Sequence, residues 1–213
     1  MQLARGAPGL LVVDVRGNGG GSSAPADDVL RAIWGPAAPG ALNRRRAKAS
    51  LWRASDGVIA NLQQRRTRIA QRYPQELPGF DALLGGLKRA RQDGQPLYRH
   101  PLPAPAAGQR IRPGPSRTIV ITDSTCISAC LDFLDRMLEA PGVIHAGQET
   151  GADTLYTEVR SVPLPSGRGV LTIPMQMLEG RQRRARETYK PSVALADDRA
   201  VQAWLSDQLQ SAR

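Results

Sequence analysis

A serine stands where a β-strand should give way to a helix, a position from which its hydroxyl can act as a nucleophile. Residues 117–122 (RTIVIT) form an uninterrupted apolar and β-branched run, 123–127 a short polar turn, and 128–139 (SACLDFLDRMLE) an amphipathic helical pattern. Ser128 opens that helix and admits two readings. It is either an N-cap that accepts a first-turn amide, or a nucleophile held out on a sharp turn, with the Ala129 N–H aimed at a developing oxyanion. A second strand–turn–helix unit lies nearer the start. Residues 10–15 (LLVVDV) lead into Arg16-Gly17-Asn18-Gly19-Gly20-Gly21, and a helical pattern runs from about 26 to 34. Such a turn exposes several backbone amides and suits an anion. A dinucleotide fingerprint is poorly met, because Ser22 stands where its third glycine belongs, and the Gly-Lys-Ser/Thr of a phosphate-binding P-loop is absent. A tight turn without ligand fits as well. Taken singly, neither turn decides.

Taken together they resemble one family. Residues 13–21 (VDVRGNGGG) are similar to the Asp-Leu/Val-Arg-x-Asn-x-Gly-Gly segment of the C-terminal-processing (tail-specific, tricorn-core-like) serine peptidases, and residues 119–132 (IVITDSTCISACLD) resemble that family's nucleophile segment. Residues 143–150 (VIHAGQET) resemble its next strand and Gly-x-x-Thr turn, and 164–167 (LPSG) its Leu-Pro-x-Gly hairpin. Residues 189–205 resemble its closing segment and terminal helix, with Ser192 in place of the usual aspartate. These motifs fall in the family's order and cover most of 10–34 and 117–210.

The resemblance implies an α/β fold of the ClpP/crotonase type, and hydrolysis of polypeptide substrates through an acyl-enzyme. Ser128 would attack the scissile carbonyl; the Ala129 N–H and a glycine N–H, from Gly19 or Gly20, would form the oxyanion hole. Arg16 and Asn18 would shape the turn. The general base is where this sequence departs from the pattern. Tail-specific members place a lysine shortly after the Gly-x-x-Thr turn; here Asp153 lies in that region, and no lysine occurs between His145 and Arg160. Tricorn-like members use an upstream histidine oriented by a glutamate near the C-terminal end, and Glu187 stands in about that place. His145 sits inside an expected buried strand and His100 in a Pro-rich loop, so both read as structural or solvated.

The elements needed to position these groups alternate as in a largely parallel sheet. Further strands are expected at 143–146, 154–159 and 170–173, the last two as a hairpin, and a final helix at 197–210 carries Val201, Trp204, Leu205 and Leu209 on one stripe. Residues 41–73 and 80–91 read as helices and 95–115 as a Pro/Gly-rich loop. The expected organisation is a first part of the peptidase core at 1–34, a helical insertion and linker at 35–115, and a second part of the core at 116–213. A strand at 10–15 buried on both faces needs neighbours, so earlier strands are expected to precede Met1, and the chain reads as an incomplete core.

Composition narrows the rest. The 213 residues carry a formal charge of +10, from an arginine excess over only three lysines. Arg44, Arg45, Arg46, Arg53, Arg65, Arg66, Arg68 and Arg72 form one cluster, and Arg181, Arg183, Arg184 and Arg186 another. They read as solvated helix faces rather than a nucleic-acid surface, and aromatics at 4% argue against base stacking. An arginine-rich nucleic-acid module and a non-catalytic peptide-binding relative are the rival readings. Cys126 and Cys130, four apart on one expected helix, are poorly placed for a disulfide and too few for a zinc site. No cofactor or metal is expected. No run approaches the roughly 20 apolar residues of a membrane span, and residues 10–15 are too short and too polar for a signal-peptide core.

Overall fold

The computed structural model describes residues 9–43, 46–102 and 110–211. In chain order the elements are β1 (Leu10–Asp14), α1 (Ala24–Trp34), α2 (Ala38–Ala41), β2 (Ala49–Arg53), α3 (Asp56–Arg72), α4 (Leu77–Gln92) and β3 (Leu97–Pro101). There follow β4 (Arg117–Thr122), α5 (Ala129–Met137), β5 (Val143–Gly147), β6 (Tyr156–Pro163), β7 (Val170–Glu179), β8 (Val193–Ala194) and α6 (Asp198–Ser211). They form two compact units, one holding β1, α1, α2, β4, α5, β5, β8 and α6, the other β2, α3, α4, β3, β6 and β7.

The first unit is built on a parallel four-stranded sheet of order β1-β4-β5-β8. Its central strand β4 is buried along almost its whole length, as a continuous apolar run between two helical layers should be. Val120 faces a core with Leu30 and Trp34 of α1 and Leu131, Leu134 and Met137 of α5. Ile119 and Ile121 face the other side, against Val201, Trp204 and Leu205 of α6. Leu209, expected on that stripe, is exposed. The parallel α/β arrangement is the fold class the sequence predicts. β1, however, is an edge strand among the described residues, with Val12 exposed at 37%. The cover on both faces that the apolar run predicts is not seen on β1, whose residues are half-buried or exposed.

The second unit is an antiparallel sheet of order β3-β2-β7-β6, on which α3 and α4 pack through Val58, Leu62, Leu83, Leu84 and Leu87. Two readings fail here. Residues 49–53 lie in a strand rather than a helix, with Trp52 in the core, and 97–101 form a strand where a loop was expected; residues 103–109 of that loop lie outside the described residues. The cause is non-local. β2 pairs with β7, whose residues 176–179 lie more than a hundred positions away, and short Ala/Leu-containing runs do not distinguish helix from strand. The expected hairpin around 164–167 is present as β6–β7, but it belongs to this second unit rather than to the core of the first.

Candidate active site at a strand-to-helix turn

β1 and β4 are parallel neighbours, so their C-terminal ends deliver both candidate turns to the same edge of the sheet. Asp123, the first residue after β4, fastens them together. Its carboxylate accepts the Gly17 amide at 2.9 Å and the Thr125 amide at 2.9 Å. Burial raises the Asp123 pKa, but the Thr125 hydroxyl, the Gly17 and Thr125 amides and the Arg16 charge outweigh it and hold the carboxyl below its ordinary value. Arg16 is held by Asp14 and Asp198, and Asn18 Oδ1 accepts the Gly20 amide at 3.0 Å. These are the turn-shaping contacts expected of Arg16 and Asn18.

Ser128 precedes α5 at φ 56°, ψ −120°, and its hydroxyl makes no capping hydrogen bond. The Cys130 amide donates to the Ile127 carbonyl at 3.1 Å, so residues 127–130 form a β-turn with Ser128 second. The φ,ψ pair is that of the second position of a type II′ turn, which favours glycine. An N-cap residue takes β-region angles and bonds a first-turn amide; Ser128 does neither, and its side chain is exposed. Ala129, the first residue of α5, has one of the amides that no intrahelical carbonyl can reach.

The glycine turn comes up against this serine. A β-carbon built on Gly20 would lie 2.8 Å from Ser128 Cβ, 3.0 Å from the Ile127 oxygen and 3.3 Å from Ser128 Oγ. Gly20, itself at φ 98°, thus permits a backbone approach that any side chain would block. Its amide donates to Asn18 Oδ1, and the absence of a side chain at Gly20 makes room for the serine.

Neither histidine joins the serine through its observed partners. His145, on β5, is buried and bonds Thr122 Oγ1 through Nε2 at 2.8 Å. The single Thr122 hydroxyl proton goes to the Gln148 carbonyl at 2.8 Å, so Nε2 of His145 must be the donor. Burial pushes the His145 pKa down to about 4. His100 lies on β3 in the other unit, where burial lowers its pKa. Glu187 accepts the Arg184 amide at 2.7 Å, which fixes its carboxylate.

Two features escaped the sequence reading. Cys126 and Cys130 form a disulfide with their Cα atoms 5.3 Å apart; they do not share a helix, since Cys126 lies in the turn before α5, and this overturns the expectation from spacing. Arg183, read as part of a solvated cluster, has a fully buried side chain. It bonds Asp135 at 3.0 Å, Asp132 at 2.6 Å and also Asp153, and the Tyr189 hydroxyl donates to Asp135. Burial would lower the Arg183 pKa, but the bond to Asp153 and the charges of Asp135, Asp153 and Asp132 raise it. The acidic pair at i, i+3 on the buried helix α5 was the visible signal; its partner, far along the chain, was not. Asp153, in the region where tail-specific members carry a lysine, is thereby committed to Arg183.

A polar cleft of about 390 Å³ also opens at this sheet edge, walled by Asp14, Arg16, Gly17, Asp123, Gln148 and Asp198 among others. Ser128 is not in its wall.

No family model matches the sequence, and no curated protein does. Among solved structures, a point mutant of CPAF matches with a TM-score of 0.53 at 10% identity, over 95% of this chain and 41% of that one. Mature CPAF complexed with lactacystin matches with a TM-score of 0.49 at 12% identity, over 95% and 42%. The photosystem II D1 C-terminal processing protease matches with a TM-score of 0.39 at 16% identity, over 88% and 34%. The chain spans less than half the length of these three proteins. Its fold is that of the part of CPAF it matches.

Proposed function

We propose that this chain carries the nucleophile region of a serine-type peptidase. Ser128 Oγ bonds to the scissile carbonyl carbon as its proton passes to a base, the C–N bond breaks as the amine leaves with a proton, and water hydrolyses the resulting ester. The Ala129 amide and a glycine amide, from Gly19 or Gly20, stabilise the developing oxyanion, and Glu187 orients the base. The observation that carries this reading is the backbone of Ser128, at φ 56° and ψ −120° on a strand-to-helix turn, against a glycine that has no room for a side chain. Such geometry is costly for serine and useful to a nucleophile. The polypeptide nature of the substrate and a ClpP/crotonase relationship rest on the sequence resemblance.

A non-catalytic peptide-binding relative is favoured by two observations: His145 is bound to Thr122, and Asp153 to Arg183. Fluorophosphonate labelling separates the two. The expected result is slow labelling at Ser128, abolished by Ser128→Ala and cut by about a hundredfold in Gly20→Ala, whose added carbon displaces the hydroxyl. Absence of labelling at Ser128 while peptides still bind would overturn catalysis in favour of binding.

A further inference from the structure

The disulfide and the strained serine occupy the same five residues. Cys126 and Cys130 are both fully buried, and the loop they close contains Ile127, Ser128 and Ala129. Had residues 126–130 continued as one helix, the two Cα atoms would stand about 6 Å apart along the axis. They are 5.3 Å apart, and the chain turns at Ser128 between them. The Cys126 amide bonds the Asp123 carbonyl and the Cys130 amide the Ile127 carbonyl, both at 3.1 Å, so two successive tight turns lead from β4 into α5. The positive φ at residue 128 thus lies inside the five-residue loop that the bridge closes.

We propose that the Cys126–Cys130 disulfide holds Ser128 in its type II′ backbone conformation, so that the redox state of the bridge sets the geometry of the serine. Reduction by a dithiol moves two electrons and two protons to the cysteine sulfurs: the S–S bond breaks, two thiols form, and the dithiol closes to its own disulfide. Ser128 then relaxes to a negative φ and becomes an ordinary helix cap. Because both sulfurs are buried, the reductant gains access only as the turn opens, which couples the two events. The bridge fits a chain that matures in an oxidising compartment. The consequence for reactivity rests on Ser128 being the nucleophile; the coupling of bridge to backbone does not.

Thermodynamic linkage tests the coupling without any need for turnover. The full chain is equilibrated in mixtures of reduced and oxidised dithiothreitol, and the bridged fraction is read by thiol alkylation and mass. Ser128→Gly removes the strain that the bridge sustains, so bridge formation should become about tenfold more favourable, or ~30 mV for a two-electron couple. Ser128→Ala keeps the β-carbon and the strain and should match the wild type. Equal equilibria for all three proteins would overturn the proposal. So would a shift accompanied by loss of helical circular dichroism on reduction, which would assign it to global unfolding. Fluorophosphonate labelling of the oxidised and reduced forms then reads the consequence, the oxidised form being expected to react faster. If both forms label equally, the bridge does not position the hydroxyl. If neither labels, the peptidase reading falls while the measured coupling stands.

Discussion

Arg183 of the first unit and the surface arginines of the second use their charge in opposite ways. In the parallel-sheet unit Arg183 is buried among three carboxylates and ties helix α5 to residue 153 and, through Asp135, to Tyr189. In the antiparallel unit Arg65, Arg66, Arg91 and Arg99 pair with Glu158, Asp81, Asp56 and Glu179 while remaining solvated. Both uses neutralise charge in a chain of net +10, yet only the first fixes the segments around the candidate nucleophile. A buried ion cluster is costly to assemble and far more costly to half-dismantle, whereas exposed pairs contribute little. What matters for the site is one arginine among many.

Arg183→Met should sharpen that contrast most. It removes the cation that Asp132, Asp135 and Asp153 share, and the expected loss is ~3–5 kcal/mol in unfolding free energy from urea titration. A change no larger than that of a surface arginine would show that the cluster is relaxed or hydrated, and the contrast between the units would fail.

His145 gives the next effect, through pH. Its folded-state pKa of about 4 lies below the ordinary 6.5, so between these values the unfolded ring binds a proton that the folded ring refuses. Stability present above pH 6.5 is therefore lost as pH falls towards 4, by about 3 kcal/mol at most. His145→Gln retains a donor for Thr122 and has no proton to gain. The wild-type midpoint in urea should fall more steeply over this window than that of the variant. Parallel slopes would mean that the ring is protonated in the fold, and would break its assignment as a neutral core donor.

The same contrast explains what could be read in advance. β4, β5 and the turn before α5 were legible because a parallel strand buried on both faces writes itself as a continuous apolar run, as in 117–122, and because strand, turn and helix are adjacent in sequence. β2 and β3 were not, because their five-residue runs become strands only by pairing with each other and with β7. The disulfide was misjudged from spacing, since the break in helix at Ser128 is invisible until its backbone angles are known. Arg183 was lost among its neighbours for a related reason: burial is decided by where residue 183 meets α5, and no local pattern marks it.

The smallest expected effect comes from Arg66. Its guanidinium meets Asp81 with both partners roughly half exposed, Nε to Oδ1 at 2.5 Å and Nη2 to Oδ2 at 2.8 Å. The hydrogen bond and charge of Asp81 raise the arginine pKa, and the same contact lowers that of the aspartate. Both groups remain hydrated after either is removed, so no desolvated charge is stranded. Arg66→Ala should leave the urea midpoint within experimental error at ordinary salt, in contrast to Arg183→Met. It also bears on the nucleic-acid reading, because an arginine paired with a carboxylate on its own unit is a poor phosphate ligand. Duplex DNA binding is expected to be weak, and its salt slope unchanged by Arg66→Ala. A steep slope that lessens by about one in the variant would instead make this face a phosphate-binding surface. It would also reverse the comparison, giving the functional arginines to the antiparallel unit.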